Sequence, residues 1–279
     1  MSYNFLRFPG FKQKAVTLSY DDGVRGDIKL VKILNEHGLK CTFNINSGMF
    51  AKREGLGRLT ESEARELYSS GVHEVAAHGY MHLPLTEVPE DAGIRDVLKD
   101  RENLENMFGV TVKGFAYPNG VFNNRIADTL KRCGIKYART CVPTKSFDIP
   151  EDWLQLKPTC HHNEPELQRL IEEFLAPDND RPYWSSHRPK LFYLWGHTYQ
   201  FDDDDNWNVM EGFAQKVGNR DDVWYATNGE IYDYVQAYNG LEYSADGKIV
   251  RNPSCTDVYL YYYGKDLLVK SGQTVTVRI

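Results

Sequence analysis

The fold is decided by residues 15–23, AVTLSYDDG, in which a short apolar run ends in two adjacent carboxylates and a glycine. Successive side chains of a strand point to opposite sides. Asp21 and Asp22 at a strand end can therefore serve different purposes, one binding a metal and the other facing a substrate. Two neighbouring carboxylates repel each other unless a cation or water offsets the repulsion. The alternative is that both aspartates cap the following helix, a common use of Asp after a strand.

Outward from this stretch, strand-like and helix-like segments alternate. An amphipathic helix is predicted after the first strand, at 27–37, and a second strand at 41–45. The later predicted strands are 73–77, 112–117, 137–140 and 190–195, and the later predicted helices are 60–71, 89–107, 123–133, 164–175, 207–217 and 229–238. Thr60 and Glu63 have the spacing of a capping box. Repeated β–α units with apolar strands predict an α/β fold, a parallel sheet covered by helices that is open or closed into a barrel.

Polar side chains that can do chemistry follow several of these strands. In parallel α/β folds the functional residues collect at the carboxyl ends of the strands. Residues 78–82, HGYMH, place two imidazoles four positions apart directly after the third strand. With one carboxylate from the pair at 21–22, they supply the donors of a catalytic zinc or related site that keeps an open position.

Composition excludes several other classes of protein. The chain has 279 residues, is 41% hydrophobic and 26% charged, and carries a net charge of −6, which is ordinary for a globular protein. The charge disfavours a nucleic-acid partner, and no apolar run reaches the roughly 20 residues that a membrane helix needs. The first residues lack the pattern of a signal peptide. Five cysteines without a CxxC spacing indicate reduced thiols, so we expect a cytoplasmic protein with no membrane partner.

The pattern changes after residue 240. Short strands are predicted at 241–243, 248–251, 258–263, 267–269 and 274–279, separated by Asp-Gly, Asn-Pro, Tyr-Gly and Ser-Gly turns. A segment of this length does not readily fold alone. We therefore expect a barrel domain at 1–239 and a β extension at 240–279 packed on it.

Four motifs now carry a resemblance to a known family. They are SYDDG at 19–23, HGYMH at 78–82, FAYPNG at 115–120 and LWGH at 194–197. In this order they resemble the motifs of the NodB-type polysaccharide deacetylases, carbohydrate esterase family 4, over about residues 10–235. The resemblance implies an irregular (β/α)7-type TIM-like barrel. It also implies a metal-dependent hydrolase that removes acetyl groups from an N-acetylated sugar, oligosaccharide or polysaccharide, with carbohydrate as its partner; the oligomeric state stays open.

The resemblance also assigns roles. Asp21 would be the general base, and Asp22, His78 and His82 would hold a divalent transition metal, zinc first and cobalt, nickel or iron as alternatives. His197 would protonate the leaving amine. The alternative for His197 is a neutral histidine of the core.

A second set of residues is predicted to contact the substrate. The backbone N–H of Asn119 would stabilise the oxyanion, because Pro and Gly fix a turn that exposes it. Tyr117, Pro118 and Trp153 complete this predicted set. The alternatives are a plain β-turn at 117–120 and a structural loop that buries Trp153.

One departure from the family pattern requires an explanation. Many relatives carry Arg where this chain has Ala116, and that Arg positions and pairs with the base. Arg139, at the end of the next predicted strand, is our hypothesis for its replacement, and an exposed salt-bridging Arg is the alternative. Asp148, from a loose match to a further motif, is hypothesised to orient His197.

Two more segments have open interpretations. His161 and His162 are either substrate contacts or, as we prefer, a surface pair. Residues 202–205, DDDD, are predicted to be a solvated loop.

Rival functions follow from the same residues. The same site would serve an O-deacetylase or a hydrolase of small amides. A magnesium-dependent phosphatase of the haloacid dehalogenase type is disfavoured, because it needs Asp-x-Asp and this chain has adjacent acids joined by histidines. A carbohydrate-binding relative that has lost turnover is the non-enzymatic rival, supported by Ala116.

Overall fold

The computed structural model describes residues 4–55, 57–177 and 182–278. The strands are β1 Asn4–Arg7, β2 Lys14–Asp21, β3 Cys41–Ile45, β4 Glu74–Ala77, β5 Gly114–Ala116, β6 Tyr137–Arg139, β7 Cys160–His161, β8 Lys190–Gly196, β9 Val223–Tyr225, β10 Glu242–Tyr243, β11 Ile249–Arg251, β12 Val258–Tyr262, β13 Lys265–Val269 and β14 Thr274–Thr276. The helices are α1 Gly26–Glu36, α2 Glu61–Tyr68, α3 Glu90–Phe108, α4 Asn124–Arg132, α5 Leu167–Leu175, α6 Tyr183–Ser186, α7 Tyr199–Asp203, α8 Trp207–Val217 and α9 Asn228–Asn239.

A curled parallel sheet organises the molecule, with strand order β6-β5-β4-β3-β2-β8-β7. The short strand β9 pairs with the first residues of β2, below the start of β3. Leu156 forms a parallel bridge with Arg139 of β6, and Cys160 pairs with β8. Residues 156–161 thus cross the gap between the two edges of the sheet. The predicted α/β fold, an irregular (β/α)7-type barrel, is confirmed.

Strand β2 is an interior strand of this sheet, between β3 and β8, and is buried from Ala15 to Asp21. A parallel strand covered on both faces is expected to be apolar throughout. Val16, Leu18 and Tyr20 satisfy this on one face, whereas Thr17 and Ser19 on the other face are buried polar residues that hydrogen-bond to Asn228 and Asn44. Its position between β3 and β8 brings the carboxylates at its end into the mouth of the barrel.

The helix boundaries follow local sequence signals. The Thr60 hydroxyl accepts a hydrogen bond from the Glu63 N–H while the Glu63 carboxylate accepts one from the Thr60 N–H, so the predicted capping box is confirmed. The predicted loop at 202–205 is wrong in its first half, because α7 extends through Asp203. Trp207 Nε1 donates to Asp202 Oδ1 at 2.7 Å and ties this short helix to the next one.

The strands after residue 240 lie where the sequence predicts them. Strands β10, β11 and β14 form one antiparallel sheet, and β12 and β13 form another together with β1. Asn4 of β1 lies opposite Tyr262 of β12, so the first described strand belongs with the late strands rather than with the barrel sheet. The domain boundary at residue 239 stays a prediction. Among the helices described, none combines the length and apolar character that a membrane crossing requires.

Candidate active site

Asp22, His78 and His82 come together at the carboxyl ends of β2 and β4. One donor atom from each residue lies within 4.8 Å of the other two. The two imidazole rings are nearly perpendicular, with centroids 4.8 Å apart. Asp22 and His82 both adopt positive φ, 82° and 54°, in the turns that aim them inward. One carboxylate and two imidazoles at this spacing fit a divalent transition metal.

His78 is oriented by a main-chain carbonyl. Its Nδ1 lies 2.8 Å from the Ala116 oxygen, which can only accept, so Nδ1 carries the proton and Nε2 is free to bind a metal. Burial lowers the pKa of His78 to about 4, although the Asp21 and Asp22 carboxylates act in the opposite direction. The ring is therefore neutral at pH 7, the form that ligates metals.

Buried polar side chains hold the loop between the two histidines, and sequence reasoning missed them. Asn46 Nδ2 donates to the carbonyls of His78 and Gly79, each at 2.8 Å. Asp100 Oδ2 accepts from the His78 N–H at 2.9 Å, and Asp96 Oδ1 accepts from the Met81 N–H at 2.9 Å. The signal in the sequence is two aspartates one turn apart on the buried face of α3.

Asp21 is buried beside the metal-binding group. Its Oδ1 accepts from Asn44 Nδ2 at 2.8 Å, and its Oδ2 contacts the Arg139 guanidinium. The Nε2 atoms of His197 and His78 lie 3.7 and 3.9 Å from the same Oδ2. Burial alone would raise the pKa of this carboxyl, but Arg139, the two histidines and the Asn44 hydrogen bond together lower it. Asp21 is therefore ionised at neutral pH.

Arg139 lies inside the barrel, not on the surface. Only 1% of its side chain is exposed, and its guanidinium carbon sits 4.3 Å from the centre of the Trp195 ring. The exposed salt-bridging alternative is therefore wrong. Arg139 is paired directly with Ala116 across β5 and β6. Its long side chain therefore reaches Asp21 from the strand next to the one where many relatives carry their Arg. The effect of Arg139 on turnover stays a prediction.

Arg58 holds the metal-binding carboxylate from the other side, a contact that the sequence did not suggest. Its Nη2 lies 3.2 Å from Asp22 Oδ1, and its Nη1 donates to the Asp22 carbonyl and to Asn46 Oδ1. Asp22 Oδ2 points instead towards His197 Nε2, at 4.0 Å. Arg58 thus holds one oxygen of the Asp22 carboxylate and leaves the other facing His197.

His197 follows β8 and reaches both aspartates, but Asp148 does not reach His197. The Leu191 N–H donates to the carbonyl of Phe147, the residue before Asp148, near the beginning of β8. Asp148 is exposed and lines a cavity of about 750 Å³ with Ile149 and Arg188 at that end of the barrel. The hypothesis that Asp148 orients His197 is corrected: His197 Nδ1 lies 3.2 Å from Gln200 Oε1.

The turn at 117–120 lies beside the metal-binding loop. Pro118 Cγ is 3.7 Å from the position that a Cβ on Gly79 would occupy. Asn119 is exposed and has φ 57°, while Pro118 is buried. Tyr117 is also buried, and its hydroxyl donates to the Leu154 carbonyl at 2.8 Å. Of this set, Asn119 is the residue that faces solvent.

Trp153 belongs to the packing of the barrel. Its ring meets Tyr232 edge-on, with centroids 5.2 Å apart, and it packs against a buried cluster that includes Tyr193 and Leu156. Trp153 is half-buried in this packing, so the structure favours the alternative of a structural loop around this residue.

His161 and His162 are not the surface pair that we preferred. His162 is 1% exposed, its ring stacks on Phe201 at 4.1 Å, and its Nδ1 lies 3.3 Å from the Tyr20 hydroxyl. His161 is half-buried, and its Nε2 lies 3.0 Å from Gln200 Oε1. Neither arrangement was visible in the sequence, because each depends on α7 folding back over β7.

Comparison with known proteins places this geometry in context. The polysaccharide deacetylase family model matches residues 9–138. A poly-β-1,6-N-acetyl-D-glucosamine N-deacetylase from Staphylococcus aureus is 25% identical over 138 residues, covering 46% of this chain and 48% of the relative. The chain thus spans about half the length of the curated relatives it matches.

Two solved structures share the fold over most of the chain. A protein from Mycobacterium smegmatis assigned to the polysaccharide deacetylases has a TM-score of 0.56 and 18% identity, covering 86% of this chain and 96% of that one. A family 4 carbohydrate esterase from Streptomyces lividans, in complex with acetate, has a TM-score of 0.51 and 16% identity, covering 77% and 93%. At these identities the likeness shows the shared barrel.

Proposed function

This chain belongs to the NodB-type polysaccharide deacetylase family, and we propose on that premise that it is a metal-dependent hydrolase of N-acetylated sugars. The substrate class is taken from the Staphylococcus aureus relative, whose name specifies a polymer of N-acetylglucosamine. The observation that carries the proposal is the convergence of an ionised Asp21 with the group formed by Asp22, His78 and His82.

Asp22, His78 and His82 would hold the metal, and two imidazoles with one carboxylate favour zinc over magnesium. When bound, a divalent ion supplies Lewis acidity, which polarises the acetyl carbonyl and makes water a stronger nucleophile. The chain contributes the fixed orientation of these donors. His78 is held by the Ala116 carbonyl, and Asp22 is held by Arg58.

Asp21 takes the proton from the attacking water. It is suited to this because Arg139 and Asn44 keep it ionised inside a buried site, where a lone carboxyl would be protonated. The neighbouring turn offers the Asn119 N–H to the oxygen that becomes negative during the attack.

His197 donates a proton to the departing amine. Its Nε2 lies 3.7 Å from Asp21 Oδ2, so the base and the acid share one side of the site. A proton gained by Asp21 and one lost by His197 balance the hydrolysis of one amide bond.

The test measures bound metal and released acetate together. Wild type is compared with His82→Ala, which removes a ligand, with Asp21→Asn, which removes the base, and with His37→Ala, a control at the far end of α1. Zinc reloading followed by N-acetylglucosamine oligomers should give one bound metal and acetate release in wild type and the control. His82→Ala should lose the metal, and Asp21→Asn should keep the metal but lose turnover.

Two results would reject parts of the proposal. Wild-type turnover by Asp21→Asn would remove Asp21 from the role of base. No bound metal and no acetate from wild type would reject hydrolysis and favour a carbohydrate-binding relative without turnover. O-acetylated sugars run in parallel distinguish ester from amide specificity.

A further inference from the structure

The imidazoles of His161 and His197 contact the same side-chain oxygen of Gln200. Gln200 Oε1 lies 3.0 Å from His161 Nε2 and 3.2 Å from His197 Nδ1. Gln200 is on α7, which starts immediately after the loop that carries His197. The start of this helix is anchored because the Thr198 hydroxyl donates to the buried Asp27 carboxylate at 2.6 Å. The position of Gln200 is therefore fixed by the anchored start of α7 as well as by its own contacts with the two histidines.

The proton positions follow from a main-chain donor. The Asn163 N–H lies 3.0 Å from His161 Nδ1. An N–H can only donate, so Nδ1 accepts and a neutral His161 carries its proton on Nε2, facing Gln200. The Gln200 amide must then present its oxygen, because a reversed amide would set its NH₂ against that N–H. The same oxygen accepts from His197, so His197 Nδ1 also carries a proton.

His161 is suited to remain neutral. Burial lowers the pKa of His161 to about 4, and repulsion by His197 acts in the same direction. His161 therefore stays a single fixed donor at neutral pH, and it continues to hold the Gln200 amide whether or not His197 is charged.

We propose that Gln200, held by His161, is the positioning residue that keeps a proton on His197 Nδ1 and leaves Nε2 as the atom where His197 exchanges its proton. The inference rests on the proposed function. In the transfer step the Nε2–H bond of protonated His197 breaks, its electron pair stays on Nε2, and a new N–H bond forms on the leaving amine. Nδ1 keeps its proton throughout.

A neutral amide has a physical advantage in this position. His197 Nε2 already lies within 4.0 Å of a carboxylate oxygen of both Asp21 and Asp22. A third carboxylate against Nδ1 would add negative charge to a site that already holds two acids. Gln200 orients the ring without adding that charge.

Three variants separate positioning from packing. Gln200→Met keeps the length and removes the acceptor, Gln200→Glu keeps an acceptor oxygen, and Gln168→Met is a control on the exposed face of α5. Outer contacts that orient a metal-bound histidine are commonly worth roughly 10–100-fold in affinity or activity, and we expect an effect of the same order for His197. Gln200→Met should lower kcat by about that factor with little change in KM, bound zinc or Tm. Gln200→Glu, which restores the acceptor but adds a negative charge, should recover part of kcat, and Gln168→Met should match wild type.

The second readout does not depend on turnover. Histidine ¹⁵N NMR of the zinc-loaded protein should show neutral His197 protonated on Nδ1 in wild type and a mixture of tautomers in Gln200→Met. A wild-type His197 protonated on Nε2, or an unchanged kcat in Gln200→Met, would overturn the proposal. If wild type releases no acetate, the proposed function fails, and the NMR result alone decides whether Gln200 positions the ring.

Discussion

Arg139 and Asp21 form an ion pair inside the barrel, with only 1% and 2% of their side chains exposed. Removing water from two charges costs more than a simple pair returns, so such pairs need further contacts. Asp21 has them in Asn44 and two histidines, and Arg139 has the face of Trp195. The pair keeps a carboxylate charged at a depth where a lone one would be neutral. That is the condition a general base requires.

Arg139→Ala should therefore lower kcat by at least about 100-fold, the range expected when a general base is lost. The metal should remain, because Arg139 contacts Asp21 and not the three metal-binding residues. Arg139→Lys keeps a charge but not the planar group over Trp195, so its kcat should lie between those of wild type and Arg139→Ala. Steady-state kinetics and zinc content of the three proteins check this, and unchanged turnover in Arg139→Ala would reject the role.

Asp100→Ala should weaken metal binding without touching a ligand. The Asp100 carboxylate accepts from the His78 N–H and from both the N–H and hydroxyl of Ser47. Its loss should reduce zinc affinity by roughly 10-fold or more and cost about 1–3 kcal/mol of stability. Competition with a zinc chelator and denaturant unfolding measure the two effects. Asp91→Ala on the same helix, where Asp91 is exposed and pairs with Arg95, is the control; it should leave zinc affinity unchanged and lower stability by much less than Asp100→Ala does.

Asp27 should make stability depend on pH. Burial raises the pKa of Asp27 from 3.8 to about 7, although hydrogen bonds from Thr198 and Tyr68 oppose the rise. The folded state then holds one more proton than the unfolded state between these values. Its contribution to the free energy of unfolding is complete below about pH 4 and falls by about 1.4 kcal/mol per unit as the pH rises towards 7.

Denaturant unfolding from pH 4 to 8 tests this in Asp27→Asn, which should lack that slope whatever its absolute stability. Asp128→Asn, at an exposed position of α4, should follow wild type. Parallel curves for wild type and Asp27→Asn would mean that Asp27 does not hold the extra proton.

Two glycine substitutions should have opposite effects. A Cβ at Gly196 would lie 2.0 Å from His162 Nδ1, and the buried ring has little room to move away from Phe201. Gly196→Ala should destabilise the protein by about 1–3 kcal/mol. A Cβ at Gly212 in α8 meets nothing within 4 Å, so Gly212→Ala should stabilise by up to about 1 kcal/mol. Thermal unfolding compares the two, and equal shifts would contradict the packing argument.

Sequence patterns predicted the parts of this fold that depend on neighbours along the chain. The apolar run at 15–20 gave a buried parallel strand, and the Thr60–Glu63 spacing gave a capping box. The motifs at strand ends were enough to place Asp22, His78 and His82 together, because parallel strands bring their carboxyl ends to one edge.

Contacts between distant segments were not predictable in the same way. Asp148 was taken from a loose match to a family motif, but the fold places it at the opposite end of β8 from His197. Gln200 performs the contact expected of Asp148 because the short helix α7 turns back towards β7. His162 is buried because it stacks between Tyr20 and Phe201, which only tertiary packing brings together.

The pairing of β1 with β12 has a consequence for the order of events during synthesis. Asn4 also donates to the hydroxyl of Tyr243, 239 positions away in sequence. At about 5–20 residues per second a ribosome needs roughly 12–48 s to make the intervening chain. During that time the strands of the β–α units can pair with their neighbours, whereas β1 stays unpaired until β12 has been made. We expect the sheet that holds β1 to form only after the β–α units of the barrel have been assembled, because β12 and β13 follow all of them in the chain.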